Sequence, residues 1–181
     1  MTAAAELIAE VGWRGVSTRL VAERAGVGAG LVHYHFASLQ ALLIEAALGA
    51  MRGVLEQVGP VLDRARTPQE AVDLVMASLA GHTGRDPVSL VFMEAYLAST
   101  RDADLRDAVA AIIAEFRRRL AGRLAGHGLD DPDETAAVLA AAIDGLLLHR
   151  AVDPSLTGEI VAPVLRRILG PASETGGGSQ G

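Results

Sequence analysis

Residues 16–36, VSTRLVAERAGVGAGLVHYHF, constrain the fold more than any other part of the chain. Their apolar residues recur at helical spacing on both sides of Gly26, a residue type that can take the positive φ that ends a helix. Ser17 or Thr18 can cap the first of the two predicted helices. Two short helices joined by a tight turn are typical of a helix-turn-helix, and its second helix, here about residues 28–35, fits the major groove of B-DNA.

The same segment carries a resemblance to a known family. It reads Val-Ser-Thr-Arg-x-Val-Ala-x-x-Ala-Gly-Val-x-x-Gly-x-Val-x-Tyr-His-Phe. This pattern resembles the DNA-binding domain of TetR-type transcriptional repressors, and Gly12-Trp13 before it and Leu42-Leu43 after it also fit. The resemblance implies an all-α protein of about nine helices. An N-terminal three-helix DNA-binding domain would be followed by a larger helical domain that binds a small effector and dimerises.

The candidate DNA contacts lie at the start of the first helix and along the second. By resemblance, Arg19 occupies a position that contacts DNA in some family members, and an arginine can donate two hydrogen bonds to guanine. The second helix begins with side chains that cannot hydrogen-bond a base edge and can only touch thymine methyl groups. The alternatives are a solvated arginine at position 19 and hydroxyls that serve only as helix caps. The predicted contact residues are Ser17, Thr18, Arg19, Gly28, Ala29, Gly30, Leu31, His33, Tyr34 and His35.

The charge distribution weakens this prediction. The net charge is −6, and residues 1–60 hold four arginines (14, 19, 24 and 52) against five glutamates (6, 10, 23, 45 and 56). Leu39 stands where the family often places a lysine that meets the DNA backbone. We therefore expect modest affinity with a shallow salt dependence. The second hypothesis is a helical homodimer that binds a small molecule or a partner and has weak or lost DNA binding.

Other classes of function find little support in the sequence. There is no cysteine, no Gly-x-Ser-x-Gly, no His-Glu-x-x-His and no lysine for a phosphate loop, so we expect neither an enzyme nor a cofactor. His33 and His35 point about 200° apart on a helix and cannot share one metal ion. No apolar run reaches membrane-spanning length and no signal segment opens the chain, so we expect a cytoplasmic protein without a membrane partner.

The rest of the chain divides by its glycines and prolines. We predict the DNA-binding domain in residues 1–37 and a linking helix in residues 38–58, capped by Ser38, with a break or a kink at Gly59-Pro60. Thr67-Pro68 predicts the start of the next helix. Residues 59–170 would form the effector-binding and dimerisation domain. The polar, glycine-rich residues 171–181 would be disordered.

Two functions are expected of the larger domain. Large apolar side chains with a few polar partners are typical of ligand pockets, although plain core packing explains each one equally well. The predicted lining residues are Met76, Phe92, Met93, Tyr96 and Phe116, with Glu94, His82, His149 and Asp144 as polar candidates. Two apolar helices within about residues 133–169 suit a homodimer interface built as a four-helix bundle. The sequence thus predicts a repressor that releases a palindromic operator when a small apolar effector binds.

Overall fold

Nine α-helices and one 3-10 turn make up the computed structural model, which describes residues 1–170 and has no strand in that range. The N-terminal elements are α1 (Thr2–Val11), the 3-10 turn (Trp13–Gly15), α2 (Thr18–Ala25), α3 (Ala29–His35) and α4 (Leu39–Leu62). The C-terminal elements are α5 (Pro68–Ser78), α6 (Pro87–Ser99), α7 (Ala103–Gly126), α8 (Pro132–Arg150) and α9 (Gly158–Ile168). The predicted all-α fold class is confirmed. The tail predicted to be disordered lies outside the described residues.

Local side-chain chemistry starts several of these helices where the sequence predicts. The hydroxyls of Ser17, Ser38 and Thr67 each accept a hydrogen bond from the backbone N–H three residues further on, at 3.3, 3.0 and 3.0 Å. Gly12 and Gly26 follow the last residues of α1 and α2 with φ of 74° and 67°. A side chain at either glycine would strain the backbone, so both turns depend on glycine.

Helix α4 is longer than predicted. It continues through Gly59 and Pro60 and ends at Leu62. Proline removes one intrahelical donor, but Val58 and Leu62 on either side are 5% and 1% exposed, and their burial holds the last turn in place. Helix α9 also contains a proline, Pro163, in its interior. Of the two alternatives at Gly59-Pro60, the break is therefore wrong, and a kink stays a prediction.

Two apolar clusters share α4 and α7 and connect the DNA-binding part to the rest. The first joins the three N-terminal helices to α4, α6 and α7 through residues such as Ile8, Leu42 and Leu105. The second packs the end of α4 and of α7 with α5, α8 and α9, and it includes Leu124 and Leu139. Because α1 lies against both α4 and α6, the N-terminal helices rest on the larger domain. The domain boundary at residue 37 stays a prediction.

The apolar helices are core elements of this fold. Within residues 1–170, no single helix is long and apolar enough to cross a membrane. Only α3 and α4 taken together reach that length and composition, and they are bent by 75° where they meet. Leu42, Ala47 and Met51 of α4 are each 0–1% exposed, so its apolar face is used in packing.

Gly84, in the loop before α6, makes a close approach that only glycine permits. Its φ is +76°, and a Cβ there would lie 2.5 Å from the Leu147 carbonyl oxygen and 2.6 Å from the Ala151 nitrogen. We expect Gly84→Ala to lower the free energy of unfolding by about 2 kcal/mol or more, through backbone strain and overlap. Urea denaturation of this variant and of Gly81→Ala measures the effect. Gly81 has open space around it, so similar losses in both variants would contradict the close approach.

Candidate DNA-binding face and effector cavity

Helix α3 presents nearly all of its surface to solvent. Val32 is the only buried residue among its seven, and it belongs to the same apolar cluster as Val21 and Ala22 of α2. Tyr34 is 83% exposed and Leu31 is 47% exposed. Of the ten residues predicted to contact DNA, nine are exposed and Thr18 is half-buried. An apolar anchor with polar and aromatic side chains around it suits a helix that inserts into a groove.

Arg19 and Ser17 lie at the exposed start of α2. Arg19 pairs with no carboxylate among residues 1–170, so its guanidinium is available to a base or a phosphate. Ser17 forms the helix cap by accepting from the Leu20 N–H, which resolves the choice between Ser17 and Thr18. The Ser17 hydroxyl hydrogen can still donate to a phosphate oxygen.

Arg24 is turned away from this face toward α1. Its guanidinium donates to both carboxylate oxygens of Glu10, at 2.8 and 2.6 Å, and to Glu6 at 3.4 Å. The hydrogen bonds from Arg24 lower the pKa of Glu10. This pairing removes one of the few cations of the N-terminal region from contact with phosphates.

His33 and His35 do not form a metal site with their surroundings. No group of three metal-ligating side chains occurs in the part of the chain that the structure describes. The His35 ring instead packs edge-on against the Tyr34 ring, with centroids 5.2 Å apart. Both side chains of this contact are exposed at the end of α3.

A cavity of about 80 Å³ lies inside the larger domain, between α4, α5, α6, α7 and α8. A second depression of about 500 Å³ lies on the outer side of α6 and α8. We call the first the effector cavity and the second the outer groove. They share the lining residues Ser89, Phe92, Tyr96, Asp144 and Leu147. The two spaces therefore adjoin each other along these residues.

Three of the five predicted lining residues, Phe92, Tyr96 and Phe116, meet at the effector cavity. Met93 lines only the outer groove. Met76 does not line the effector cavity and lies instead in the core between α5, α7, α8 and α9, at a separate small space. The reason is its helical position, since the preceding residue, Val75, takes the place on the cavity wall.

The polar groups at the cavity are Tyr96, Asp144, His82 and Ser89. The Tyr96 hydroxyl donates to Asp144 Oδ2 at 2.6 Å and thereby links α6 to α8. Burial raises the pKa of Asp144, and the hydrogen bond from Tyr96 only partly opposes this. Burial, with the neighbouring carboxylate, also raises the pKa of the Tyr96 phenol, which keeps it protonated.

His82 is held at the rim by Asp86, the cap of α6. The His82 ring nitrogen Nδ1 lies 3.1 Å from Asp86 Oδ1, and the Ser89 hydroxyl donates to Asp86 Oδ2 at 2.7 Å. Although burial opposes it, the hydrogen bonds from Ser89, His82 and Thr83 hold the pKa of Asp86 well below its usual range. Asp86 and Ser89 were not among the predicted site residues, although an Asp directly before Pro87 with Ser three residues further on is a local signal of a helix start.

A chain of hydrogen bonds, here called the junction network, connects α6 to the DNA-binding part. Glu94 Oε2 accepts from the Trp13 backbone N–H at 2.7 Å, and Trp13 Nε1 donates to Gln40 Oε1 at 3.2 Å. Gln40 Nε2 donates in turn to Asp102 Oδ2 at 2.8 Å, and Asp102 caps α7. Glu94, a candidate polar partner of the ligand, is thus occupied at the 3-10 turn rather than at the cavity.

Helices α8 and α9 each leave an apolar stripe exposed. Helix α8 packs on α7 and α9 packs on α5, so each stripe lies on the side away from its neighbour. The α8 stripe consists of Val138 (53% exposed) and Leu148 (56%), and Val152 (78%) follows it. The α9 stripe consists of Ile160 (57%), Val164 (48%) and Ile168 (49%) at a spacing of four residues. On α9 these exposed side chains are evenly spaced along one face, whereas Val138 and Leu148 of α8 lie ten residues apart. The α9 stripe in particular indicates a surface that another molecule covers.

Comparison with known proteins gives consistent results over both halves of the chain. The family described as bacterial regulatory proteins, tetR family, matches residues 1–46. The family described as tetracyclin repressor-like, C-terminal domain, matches residues 66–171.

Individual relatives match over most of the chain. The HTH-type transcriptional regulator BetI of Escherichia coli O45:K1 is 30% identical over 177 residues, covering 90% of this chain and 85% of that protein. BetI of Agrobacterium fabrum is 28% identical over 170 residues, covering 90% and 80%. This chain is also similar to the crystal structure of the multidrug binding protein EbrR complexed with imidazole, with 30% sequence identity and a TM-score of 0.71. The match covers 96% of this chain and 93% of that chain.

Proposed function

The chain belongs to the TetR family of bacterial regulatory proteins, as residues 16–36 predict, and we propose that it is a cytoplasmic homodimer that releases a palindromic operator when a small effector binds. It is a ligand-responsive, DNA-binding transcriptional regulator. Since its sequence lacks the common catalytic motifs, we propose that it acts by binding alone.

The observation that carries this proposal is the exposure of α3. A helix that buries one residue of seven is poorly explained by packing, and its exposed Tyr34, His33 and Leu31 suit contact with the major groove. Arg19, at the start of the preceding helix, has no carboxylate partner among residues 1–170. Two copies of this face, one from each subunit, would enter successive major grooves of the operator.

The stripes on α8 and α9 support the homodimer. An exposed apolar stripe on each of two helices provides the self-complementary surface that a two-fold interface needs. Pairing both stripes with their copies would give a four-helix bundle. This interface falls within the predicted residues 133–169.

The size of the effector cavity supports a release mechanism. A volume of about 80 Å³ is well below the roughly 300 Å³ that small-molecule sites usually occupy, so a ligand that enters this cavity would separate its walls. Phe92 and Tyr96 form part of that wall, and Glu94 on the same helix holds Trp13. A ligand that displaces α6 therefore favours a second position of the DNA-binding part, and it acts by binding that state more tightly. EbrR, a relative solved with imidazole, supports a small-molecule response.

Arg19 provides the direct test of the DNA-binding face. We expect Arg19→Ala to weaken binding to the DNA upstream of its own gene by about tenfold or more, the usual cost of losing a bidentate base contact. Fluorescence anisotropy with that DNA and with an unrelated duplex measures the effect. Arg117→Ala, at an exposed position of α7, is the matched control. If the wild type binds both duplexes equally, the specific repressor is excluded.

A second candidate function follows from the charges. Residues 1–60 are not basic overall, and Arg24 is neutralised by Glu10 and Glu6. These facts favour a helical homodimer that binds a small molecule or a partner with weak or lost DNA binding. The salt dependence of DNA binding separates the two functions, since a slope near zero indicates that no phosphates are neutralised.

A further inference from the structure

Asp144 occupies an unusual position between the effector cavity and the outer groove. Its carboxylate lines both spaces, and its one hydrogen bond among residues 1–170 comes from the Tyr96 hydroxyl. No arginine or histidine of the described chain forms an ion pair with it. Helices α4, α5 and α7 present only apolar side chains to the cavity. The carboxylate is therefore mostly buried without a positive partner, which is costly unless something else supplies one.

The rest of the cavity wall suits a positive charge. Phe92, Tyr96 and Phe116 bring three aromatic rings to the space that Asp144 lines. Aromatic faces attract cations, most strongly where water is excluded. The aliphatic side chains around them suit apolar substituents. An anion would be repelled by Asp144, and a neutral apolar molecule would leave the carboxylate unpaired.

We infer that the effector is a small organic cation with apolar substituents, an alkyl- or arylammonium, and that Asp144 is its counter-ion. This inference rests on the function proposed above and identifies the class of ligand for the same cavity. The cation would lie between the Asp144 carboxylate and the aromatic rings, and its apolar groups would contact the walls from α4 and α7. It narrows the predicted apolar effector to one that carries a single positive charge.

The protonation state of Asp144 gives a second, independent signature. Because burial raises its pKa, lowering the pH neutralises Asp144 earlier than an ordinary aspartate. Affinity for a permanent cation should therefore fall as the pH drops through this range. Tyr96 stays neutral over this pH range. His82 also lines the cavity, and it is present in both wild type and Asp144→Asn, so its contribution to the pH dependence of affinity is common to the two proteins. The pH dependence that disappears in Asp144→Asn belongs to Asp144.

Phenyltrimethylammonium and its uncharged isostere tert-butylbenzene test the inference by calorimetric titration of the full chain. We expect wild type to bind the cation about tenfold or more tightly than the isostere. Asp144→Asn should weaken cation binding by about tenfold or more and leave tert-butylbenzene binding within about twofold. Asparagine keeps the size of the side chain and an acceptor for Tyr96, so the fold should persist. Circular dichroism and thermal melting check this.

The controls separate this inference from the proposed function. Asp153→Asn removes an exposed carboxylate near the end of α8 and should leave cation binding unchanged. Equal binding of cation and isostere, or unchanged cation binding in Asp144→Asn, would overturn the inference. Operator binding by wild type and Asp144→Asn is measured in parallel. Specific operator binding without cation binding refutes the ligand class alone, whereas cation binding without specific operator binding refutes the repressor alone.

Discussion

Val164→Arg should convert the proposed dimer to a monomer and weaken operator binding by about a hundredfold or more. Val164 lies in the middle of the α9 stripe and is 48% exposed, so a charge there is tolerated by the isolated subunit but not by an apolar interface. Without the partner, each DNA-binding face loses the effective concentration that joins two half-sites. Sedimentation equilibrium and anisotropy with the operator measure the two effects.

The control adds the same charge elsewhere. Ala110→Arg lies at an exposed position of α7 and should leave both the mass and the operator affinity unchanged. A Val164→Arg protein that remains dimeric and binds operator normally would show that the subunits meet on a different surface. If a variant with both Val164 and Ile160 substituted also remained dimeric, this would confirm that the subunits meet elsewhere.

Glu94→Ala should separate ligand binding from DNA release. Glu94 lies on the same helix as Phe92 and Tyr96, and its carboxylate accepts a hydrogen bond from the Trp13 backbone N–H. Replacing Glu94 by alanine therefore removes the most direct link between the cavity and the 3-10 turn. We expect the ratio of operator affinities without and with phenyltrimethylammonium to fall about fivefold or more. Ligand affinity itself should change little.

Trp13 offers a direct reading of this coupling because it is the only tryptophan in the chain. Its fluorescence should respond to the ligand in wild type and respond weakly in Glu94→Ala, and its amide should exchange faster in the variant. Glu94→Gln keeps an acceptor and should restore part of the response. Glu134→Ala, an exposed position of α8, is the control. Undiminished release by Glu94→Ala would place the coupling in the packing of α4 instead.

The features that depend on neighbours in sequence could be predicted. Caps such as Ser38 and Thr67 act within one helical turn, so the residues alone locate the starts of α4 and α5. The end of α4 could not be predicted from Gly59-Pro60, because burial of Leu62 outweighs one missing donor. At this position, the low helix propensity of glycine and proline has less influence on the structure than tertiary packing.

The residues at the cavity also divide into those that the sequence predicts and those that it does not. Phe92, Tyr96 and Phe116 could be predicted as lining residues because large apolar side chains near a few polar groups are typical of ligand pockets and the resemblance implies a pocket in this domain. Asp144 was one of four polar candidates, and nothing local distinguished it, since its partner Tyr96 is 48 residues away. Glu94 was assigned to the cavity, yet its partner is Trp13, 81 residues away. Hydrogen bonds across such separations follow from the packing of helices and not from spacing.

Leu148 belongs both to the outer groove and to the α8 stripe. In the proposed dimer, a molecule entering one subunit would therefore touch the seam between the two. Ligand binding in one subunit would therefore change the packing of α8 in the partner subunit. As a result, the two subunits would not bind ligand independently of each other. We expect a dose-response curve with a Hill coefficient different from one. Leu148 would then determine how steeply the response depends on ligand concentration.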